Sequence, residues 1–171
     1  YATECQLGDG TRNDQHRNVP WPVDAPAGFT AVAAATDHTC AIRADGTLWC
    51  WGDKRAFNPA PVSAYGAREC SPWQVGTDAD WAQVDGGAFH TCGVRDDGSL
   101  WCWGRNDAGE LGNDDSEDLA APGRTGLDTD WYGVQAGSEF TSGLKTDNRL
   151  LCWGTNLSGQ QGDGRAVSSA V

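Results

Sequence analysis

A phrase of 15 residues is written three times in this chain, and the repeat constrains the fold more than any other feature. The three copies are residues 38–52, 90–104 and 140–154. Each copy ends in Trp-Gly, and the steps between the Trp-Gly pairs are 52 and 50 residues. Self-similarity at a fixed period of this size is typical of repeat proteins, in which each repeat is one supersecondary unit.

The repeated phrase has the pattern of a β-hairpin. An Asp-Gly pair lies at its centre in the first two copies, and Asn148 replaces the Gly in the third. Gly and Asn are the residues that best tolerate the left-handed backbone of a short hairpin loop. In the following strand, Leu48 and Cys50 point to one face while Trp49 and Trp51 point to the other. Both faces are apolar, so each sheet must pack on both sides, as stacked blades do.

The spacing predicts an all-β, β-propeller-type fold with blades of about 50 residues, each of about four strands. An aromatic residue opens each unit at the same phase, at Phe29, Trp81 and Trp131. No segment shows a sustained helical period, so we expect little helix. The predicted organisation is one continuous repeat domain made of an N-terminal half-repeat and loop (1–28), repeat 1 (29–80), repeat 2 (81–130) and an incomplete repeat 3 (131–171).

The two ends of the chain share one phase of the repeat, because residues 6–10 resemble residues 160–164. Three blades are too few to close a ring, since propellers usually have four to eight. Three arrangements remain open. Several chains complete one ring, chains add head to tail, or these residues belong to a longer chain that closes on itself.

Seven cysteines indicate a disulfide-bonded protein. In the hairpin register, Cys40 faces Cys50 and Cys92 faces Cys102, which predicts two cross-strand disulfides. An odd number leaves one cysteine unpaired or intermolecular. We expect Cys5 to pair with Cys70, which leaves Cys152 as a thiol opposite Ser142. Disulfides persist in oxidising compartments, so the predicted location is secreted, periplasmic or at the cell surface.

The composition excludes several classes of partner. The 24 acidic and 12 basic residues give a net charge of −12, which argues against nucleic acid and against an anionic membrane surface as partners. No apolar run is long enough to span a membrane. The spacing of the cysteines fits no zinc site. The acidic stretch with Asp114, Asp115, Glu117 and Asp118 is a candidate site for calcium, and the sequence suggests no other cofactor.

In combination, His-Thr-Cys, Asp-Gly-x-Leu-Trp-Cys-Trp-Gly and Asn-x-x-Gly-x-Leu-Gly resemble the regulator of chromosome condensation (RCC1-like) repeat family. The resemblance covers about residues 5–165, and the cysteine-bearing form is similar to the exported bacterial variant. The resemblance implies the usual fold of this family, a seven-bladed propeller. It also implies protein binding through loops on one face of the propeller, as in most members of the family. Residues 53–72 depart from the Gly-rich phrase that follows Trp-Gly in the other copies.

We therefore expect an exported, non-enzymatic module that presents loops for protein binding. No catalytic residue is predicted, because no nucleophile-elbow, phosphate-loop or zinc-protease motif occurs. The loops at 53–72 and 105–126, with Trp21 and Trp73, are the candidate binding surface. The alternative is a self-assembling structural subunit, a homo-oligomeric ring or filament joined through its complementary N- and C-terminal half-repeats.

Overall fold

The computed structural model describes residues 5–11, 17–25, 27–57 and 68–164. These residues form eleven strands and one turn of 3₁₀ helix, Lys54–Ala56. The strands are β1 (Phe29–Ala34), β2 (His38–Arg43), β3 (Leu48–Asp53), β4 (Arg68–Gln74), β5 (Trp81–Gly86), β6 (His90–Arg95), β7 (Leu100–Gly104), β8 (Leu119–Arg124), β9 (Trp131–Ala136), β10 (Phe140–Lys145) and β11 (Leu150–Gly154).

The strands form three antiparallel sheets in which each strand pairs with its neighbours in the sequence. The first sheet contains β1 to β4, the second β5 to β8, and the third β9 to β11. We call them blades 1, 2 and 3. The prediction of an all-β fold with about three propeller-type blades is confirmed. In the part of the chain that the structure describes, no helix is long and apolar enough to cross a membrane.

The hairpin at the centre of each blade has one register. Cys40 lies opposite Cys50, Cys92 opposite Cys102, and Ser142 opposite Cys152.

The hairpin loops also have one conformation, with φ of +78° at Gly46, +76° at Gly98 and +68° at Asn148. The first two loops need glycine for a second reason. A Cβ at Gly46 or Gly98 would lie 2.2 Å from a carbonyl of the linker that leads to the next blade. At the third hairpin loop the left-handed residue is Asn148, which carries a Cβ.

The core lies between the blades rather than within one sheet. We call the contact between blades 1 and 2 the first joint and the contact between blades 2 and 3 the second joint. In the first joint, Trp81 and Trp103 of blade 2 pack on Leu48 and Phe57 of blade 1. In the second joint, Trp131 and Trp153 of blade 3 pack on the matching face of blade 2. Burial of these large aromatic side chains stabilises both joints.

Each joint also contains a buried relay of hydrogen bonds. In the first joint, the Thr91 hydroxyl donates to the Ala56 carbonyl oxygen over 2.8 Å and lies 2.9 Å from His38 Nε2. The hydroxyl has one proton and gives it to the carbonyl, so His38 must donate from Nε2. Burial lowers the pKa of His38 to about 3, which keeps the imidazole neutral.

The second joint repeats this relay one blade later. Thr141 donates to the Glu110 carbonyl over 2.8 Å, and His90 Nε2 lies 3.0 Å from the Thr141 hydroxyl. Burial lowers the pKa of His90 to about 4. The two histidines therefore hold successive blades together. The same position in blade 3 is Phe140, which has no donor to offer.

Candidate functional site

The loop that follows β7, residues 105–118, is organised around one buried side chain. Asn106 is fully buried, and its Oδ1 accepts from the backbone N–H of Leu111 over 3.0 Å. Its Nδ2 donates to Asn113 Oδ1 and to the Asp115 carbonyl, each over 3.0 Å. Its own backbone N–H donates to Asp118 Oδ1 over 2.9 Å. The loop is therefore preshaped, although it contains no strand or helix.

The rim of this loop is acidic and exposed. Asp114, Asp115 and Glu117 are exposed, and Asp114 has a left-handed backbone with φ of +64°. Asp115 Oδ1 also accepts from the Glu117 N–H over 3.0 Å. Two of the four calcium candidates, Asp115 and Asp118, thus use carboxylate oxygens to shape the loop. Among the described residues, no group of three or more His, Cys, Asp and Glu side chains is placed to hold a metal ion.

The matching loop of blade 1 has a different local structure. Asp53 begins the 3₁₀ turn and accepts from the Arg55 N–H over 2.9 Å, and the two side chains form an ion pair. Arg55 also stacks over the Phe89 ring at 4.5 Å, which ties this loop to blade 2. Of the candidate binding loop at 53–72, residues 58–67 lie outside the described part of the chain.

The two tryptophans proposed from the sequence as contact residues differ in their surroundings. Trp73 is half-buried and packs against Phe57 in the first joint, with ring centroids 6.5 Å apart. This placement favours a packing role. Trp21 is 57% exposed, between the exposed Val19 and Val23, and the Arg17 guanidinium stacks on its ring at 4.6 Å. Trp21 is therefore the contact candidate of the pair.

The structure joins six of the cysteines in pairs. Cys40 is bonded to Cys50 and Cys92 to Cys102, each pair with Cα atoms 4.1 Å apart. Cys5 is bonded to Cys70, which attaches the N-terminal segment to β4. Cys152 is a half-buried thiol whose sulfur lies 3.1 Å from the Ser142 hydroxyl.

A cavity of about 400 Å³ opens at the outer rim of the second joint, lined in part by Arg124, Thr125, Asp128 and Trp153. Several polar groups on its wall already bond to the protein, although Trp131 Nε1 has no hydrogen-bond partner among the described residues. Trp153 Nε1 donates to the Glu110 carbonyl, and Thr125 donates to the Leu111 carbonyl. Asp128 forms an ion pair with Lys145. Trp153, Thr125 and Asp128 therefore help to hold the joint together.

Sequence reasoning identified the acidic rim of loop 105–118 but missed Asn106, the residue that shapes it. The available signal was the recurrence of Asn at the same phase, as Asn106 and Asn156. In blade 3, Asn156 Oδ1 accepts from the Gln161 N–H over 2.9 Å, as Asn106 does from Leu111. A buried asparagine that recurs in this way is a loop organiser.

Comparison with known proteins agrees with this architecture. The family model described as Regulator of chromosome condensation (RCC1) repeat matches residues 29–54, 81–110 and 132–160, and a second model with that description matches 97–144. The mouse Regulator of chromosome condensation is 30% identical over 114 residues, which are 64% of this chain and 26% of the relative. The Ultraviolet-B receptor UVR8 of Arabidopsis thaliana is 31% identical over 121 residues, 68% of this chain and 27% of the relative.

Solved structures show the same fold at lower identity. Prp20p from Saccharomyces cerevisiae superposes with a TM-score of 0.81 at 19% identity, over 100% of this chain and 44% of that one. Human WBSCR16 gives a TM-score of 0.71 at 22% identity, over 83% and 38% of the two chains. The chain spans 6 to 27% of the length of the curated relatives that it matches. With three matched repeats and three blades, it belongs to the Regulator of chromosome condensation (RCC1) repeat family.

Proposed function

We propose that this chain is an exported, non-enzymatic module that binds a protein partner through the loop end of its blades. The observation that carries the proposal is loop 105–118, which Asn106 holds in one shape and which presents exposed carboxylates. A preshaped loop loses little conformational entropy on binding. Its charge favours a partner with a basic surface, since complementary potentials steer association.

Related proteins support a binding role. Prp20p has binding properties to Gsp1p and histones, and yeast RCC1 (Prp20) has been solved with Kap60 bound to it. Both findings concern one yeast protein that binds other proteins. By this likeness, we expect the present chain to bind a protein as well.

The three disulfides support export, because such bonds persist in oxidising compartments. Alkylation of unreduced protein from its native source, followed by mass spectrometry, tests this point. One alkylated cysteine, Cys152, is the expected result. Alkylation of all seven cysteines would place the protein in a reducing compartment.

We propose that the chain is not an enzyme, because its buried histidines hold the blades together. His38 and His90 are the buried imidazoles of the described residues, and each points its Nε2 at a threonine hydroxyl inside a joint. Both are neutral and remote from solvent, so neither is available to exchange protons with a substrate.

The binding proposal is tested with peptide pairs that differ only in Lys or Arg against Gln. We expect the 171-residue chain to bind the basic peptides selectively and less tightly as salt is added. Removing two charges with Asp114→Asn/Glu117→Gln should weaken binding about tenfold.

The matched control for this experiment is Asp45→Asn/Asp96→Asn. It removes two charges at the hairpin tips, at the opposite end of the strands from loop 105–118. The amide that replaces the Asp45 carboxylate keeps an oxygen to accept from the Thr47 N–H. We expect this variant to bind like the parent. Equal losses for the two double variants would show that net charge, and not the loop, drives binding.

A further inference from the structure

The cavity at the outer rim of the second joint lies where the two joints differ in sequence. On β7, Trp101 lies opposite Gly93 of β6. On β11, Leu151 lies opposite Gly143 of β10, so Leu151 and Trp101 hold the same position of the repeat. Trp101 packs against the core of the first joint, whereas Leu151 lines the cavity. The smaller side chain leaves open, in the second joint, a place that an indole ring fills in the first.

A stacked cation lies beside this position in both blades. In blade 2, the Arg95 guanidinium lies over the Trp81 ring at 4.7 Å and over the Trp101 ring at 4.1 Å. Lys145 holds the position of Arg95 in blade 3, and its Nζ lies 4.9 Å from the centre of the Trp131 ring. Among the described residues, no second ring stacks on Lys145. Blade 3 therefore keeps half of an arrangement that blade 2 completes with Trp101.

The cavity has the size and the wall of a binding site. Its volume of about 400 Å³ falls within the range of ligand pockets, which is about 300–1,000 Å³. Trp131, Leu151 and Trp153 form an apolar wall, and Leu127 at the edge is 86% exposed. An aromatic side chain inserted here would bury this apolar surface. Aromatic anchors in such pockets often carry much of the binding energy of a protein interface.

The rim of the cavity is continuous with the acidic loop. Asp114 lines the cavity and belongs to loop 105–118. The exposed carboxylates of Asp115 and Glu117 follow it in the sequence. A group that enters the cavity therefore passes beside several negative charges, which favours basic residues next to that group.

The charged residues on the linker side of the cavity are held by the protein. Asp128 forms an ion pair with Lys145, so its charge is balanced. Arg124 donates from Nη2 to the Leu127 carbonyl over 3.0 Å, which holds the guanidinium against the linker. A guanidinium at this place can also stack on an inserted ring. The cavity thus combines an apolar wall with an acidic entrance.

We propose that the protein partner inserts an aromatic side chain into this cavity, while lysine or arginine residues beside that side chain meet the carboxylates of loop 105–118. The proposal rests on the function proposed above, because it names the part of a basic partner that anchors at the loop. The occupant is aromatic because Trp101 shows that a ring fits this place in a joint, beside a cation and a tryptophan. Its flanks are basic because the rim is acidic.

The test is isothermal titration calorimetry of the 171-residue chain with two peptides. The peptides are Lys-Lys-Trp-Lys-Lys and Lys-Lys-Ala-Lys-Lys, which carry the same charge. We expect the tryptophan peptide to bind about tenfold more tightly, because its ring loses apolar surface to the cavity wall.

Two-dimensional NMR of the indole N–H groups gives the location of binding. The signals of Trp131 and Trp153, on the cavity wall, should shift with the tryptophan peptide. Those of Trp81 and Trp103, in the first joint, should not.

Filling the cavity should remove the preference for the tryptophan peptide. Leu151→Trp copies Trp101 into blade 3, and Gly143 leaves the same room opposite it that Gly93 leaves opposite Trp101. We expect this variant to bind the tryptophan peptide no more tightly than the alanine peptide. Its affinity for the alanine peptide should equal that of the parent, since the carboxylates of the loop are unchanged.

A second variant changes the edge of the cavity without changing the core. Leu127→Ser removes exposed apolar surface and should reduce the preference about threefold. Leu150→Ser is the matched control. Leu150 is also exposed, but it points to the opposite face of the strand from Leu151. It should leave the preference unchanged.

The results separate this proposal from the proposed function. Equal binding of the two peptides to the parent would overturn the aromatic anchor and leave charge-based binding intact. The anchor is also overturned if Leu151→Trp and Leu127→Ser keep the full preference while folded by circular dichroism. Binding of neither peptide would overturn the proposed function and the anchor together.

Discussion

The first and second joints make the same threonine-to-carbonyl hydrogen bond from two different loops. In the second joint, the Gly-rich turn at 109–112 supplies the Glu110 carbonyl, which accepts from both Thr141 and Trp153. In the first joint, a 3₁₀ turn supplies the Ala56 carbonyl, which accepts from Thr91. The counterpart of Trp153 there is Trp103, whose buried Nε1 has no hydrogen-bond partner among the described residues.

The difference shows what a blade joint requires. A carbonyl must lie under the threonine, and a bulky side chain must fill the space beside it. Phe57 and Leu111 are each fully buried in that position. The rest of the loop sequence differs between the two joints. The 3₁₀ loop of the first joint lacks the hydrogen bond from tryptophan that the Gly-rich turn of the second joint accepts.

The threonine relay gives the largest expected difference between the joints. Thr91→Val leaves His38 Nε2 and the Ala56 carbonyl unpaired, so we expect a loss of about 2–6 kcal/mol in the free energy of unfolding. Thr141→Val should cost only about 1–3 kcal/mol, because Trp153 still bonds the Glu110 carbonyl. Urea unfolding measures both. Serine at each position restores the hydroxyl and should recover most of the loss, and equal costs for the two valine variants would contradict this account.

Substitution of the hairpin glycines tests a contact that both joints share, the close approach of the linker between two blades to the hairpin loop. Gly98→Ala should lower the free energy of unfolding by about 2–5 kcal/mol, since left-handed backbone and a displaced linker carbonyl both contribute. Gly46→Ala should cost the same in urea unfolding, because its Cβ meets a carbonyl at the same 2.2 Å.

Gly126→Ala is the control for the hairpin glycines. Gly126 is also left-handed, with φ of +66°, but no described atom lies within 4 Å of its Cβ. It should cost about 1–2 kcal/mol from backbone strain alone. If Gly126→Ala and Gly98→Ala were equally costly, the close approach of the linker would not matter.

Acid should weaken both joints. The pKa is about 3 for His38 and about 4 for His90 in the folded chain, against about 6.5 in an unfolded chain. Between those values and about 6.5 the unfolded chain binds protons that the folded chain does not, so stability falls as pH falls. In this range each histidine lowers the free energy of unfolding by up to about 1.4 kcal/mol for each pH unit of acidification. Well above about pH 6.5, neither histidine makes the free energy of unfolding depend on pH.

The measurement is urea unfolding at pH values from about 7.5 to about 4.5, which span the titration of an unfolded histidine. His90→Phe, which copies Phe140 of blade 3, should remove about half of the histidine contribution to the slope. An unchanged slope in this variant would mean that His90 is protonated in the folded state.

The tryptophan hydrogen bond gives the smallest difference. Trp153→Phe removes the bond to the Glu110 carbonyl, while Trp103→Phe removes none that the described residues make. Both lose similar apolar area, so we expect Trp153→Phe to cost about 1 kcal/mol more. Thermal unfolding of the two variants compares them directly, and a larger cost at Trp103 would reverse our assignment of the better-bonded joint.

Part of the architecture was predictable because it depends on short-range rules. Gly46, Gly98 and Asn148 identify the hairpin loops, since only a few residues accept positive φ. The alternation of side chains along the strands then sets which residues face each other, so Cys40 is placed opposite Cys50 without knowledge of any other blade. The period of the repeat determines the number of blades.

The candidate site was less predictable from its residues. The acidic rim at 114–118 is visible in the sequence, but its fixed shape depends on Asn106, whose partners are up to twelve positions away. Trp73 and Trp21 look alike beside prolines in the sequence. In the structure, packing against Phe57 distinguishes Trp73 from Trp21. This contact was not predictable, because the loop that carries Phe57 has no recognisable repeat pattern.

The sequence by itself determined the all-β class, the three repeats, the hairpin register and the matching phase of the two ends. The tertiary structure alone decided how those ends are used. The resemblance of residues 6–10 to 160–164 does not say that residues 5–8 fold back on blade 1, nor that Ala56 replaces the missing Gly-rich turn. The hydrogen bonds from Trp51 to Gln6 and from Thr91 to Ala56 join residues 45 and 35 positions apart. They form because the faces of neighbouring blades fit together, which no local pattern encodes.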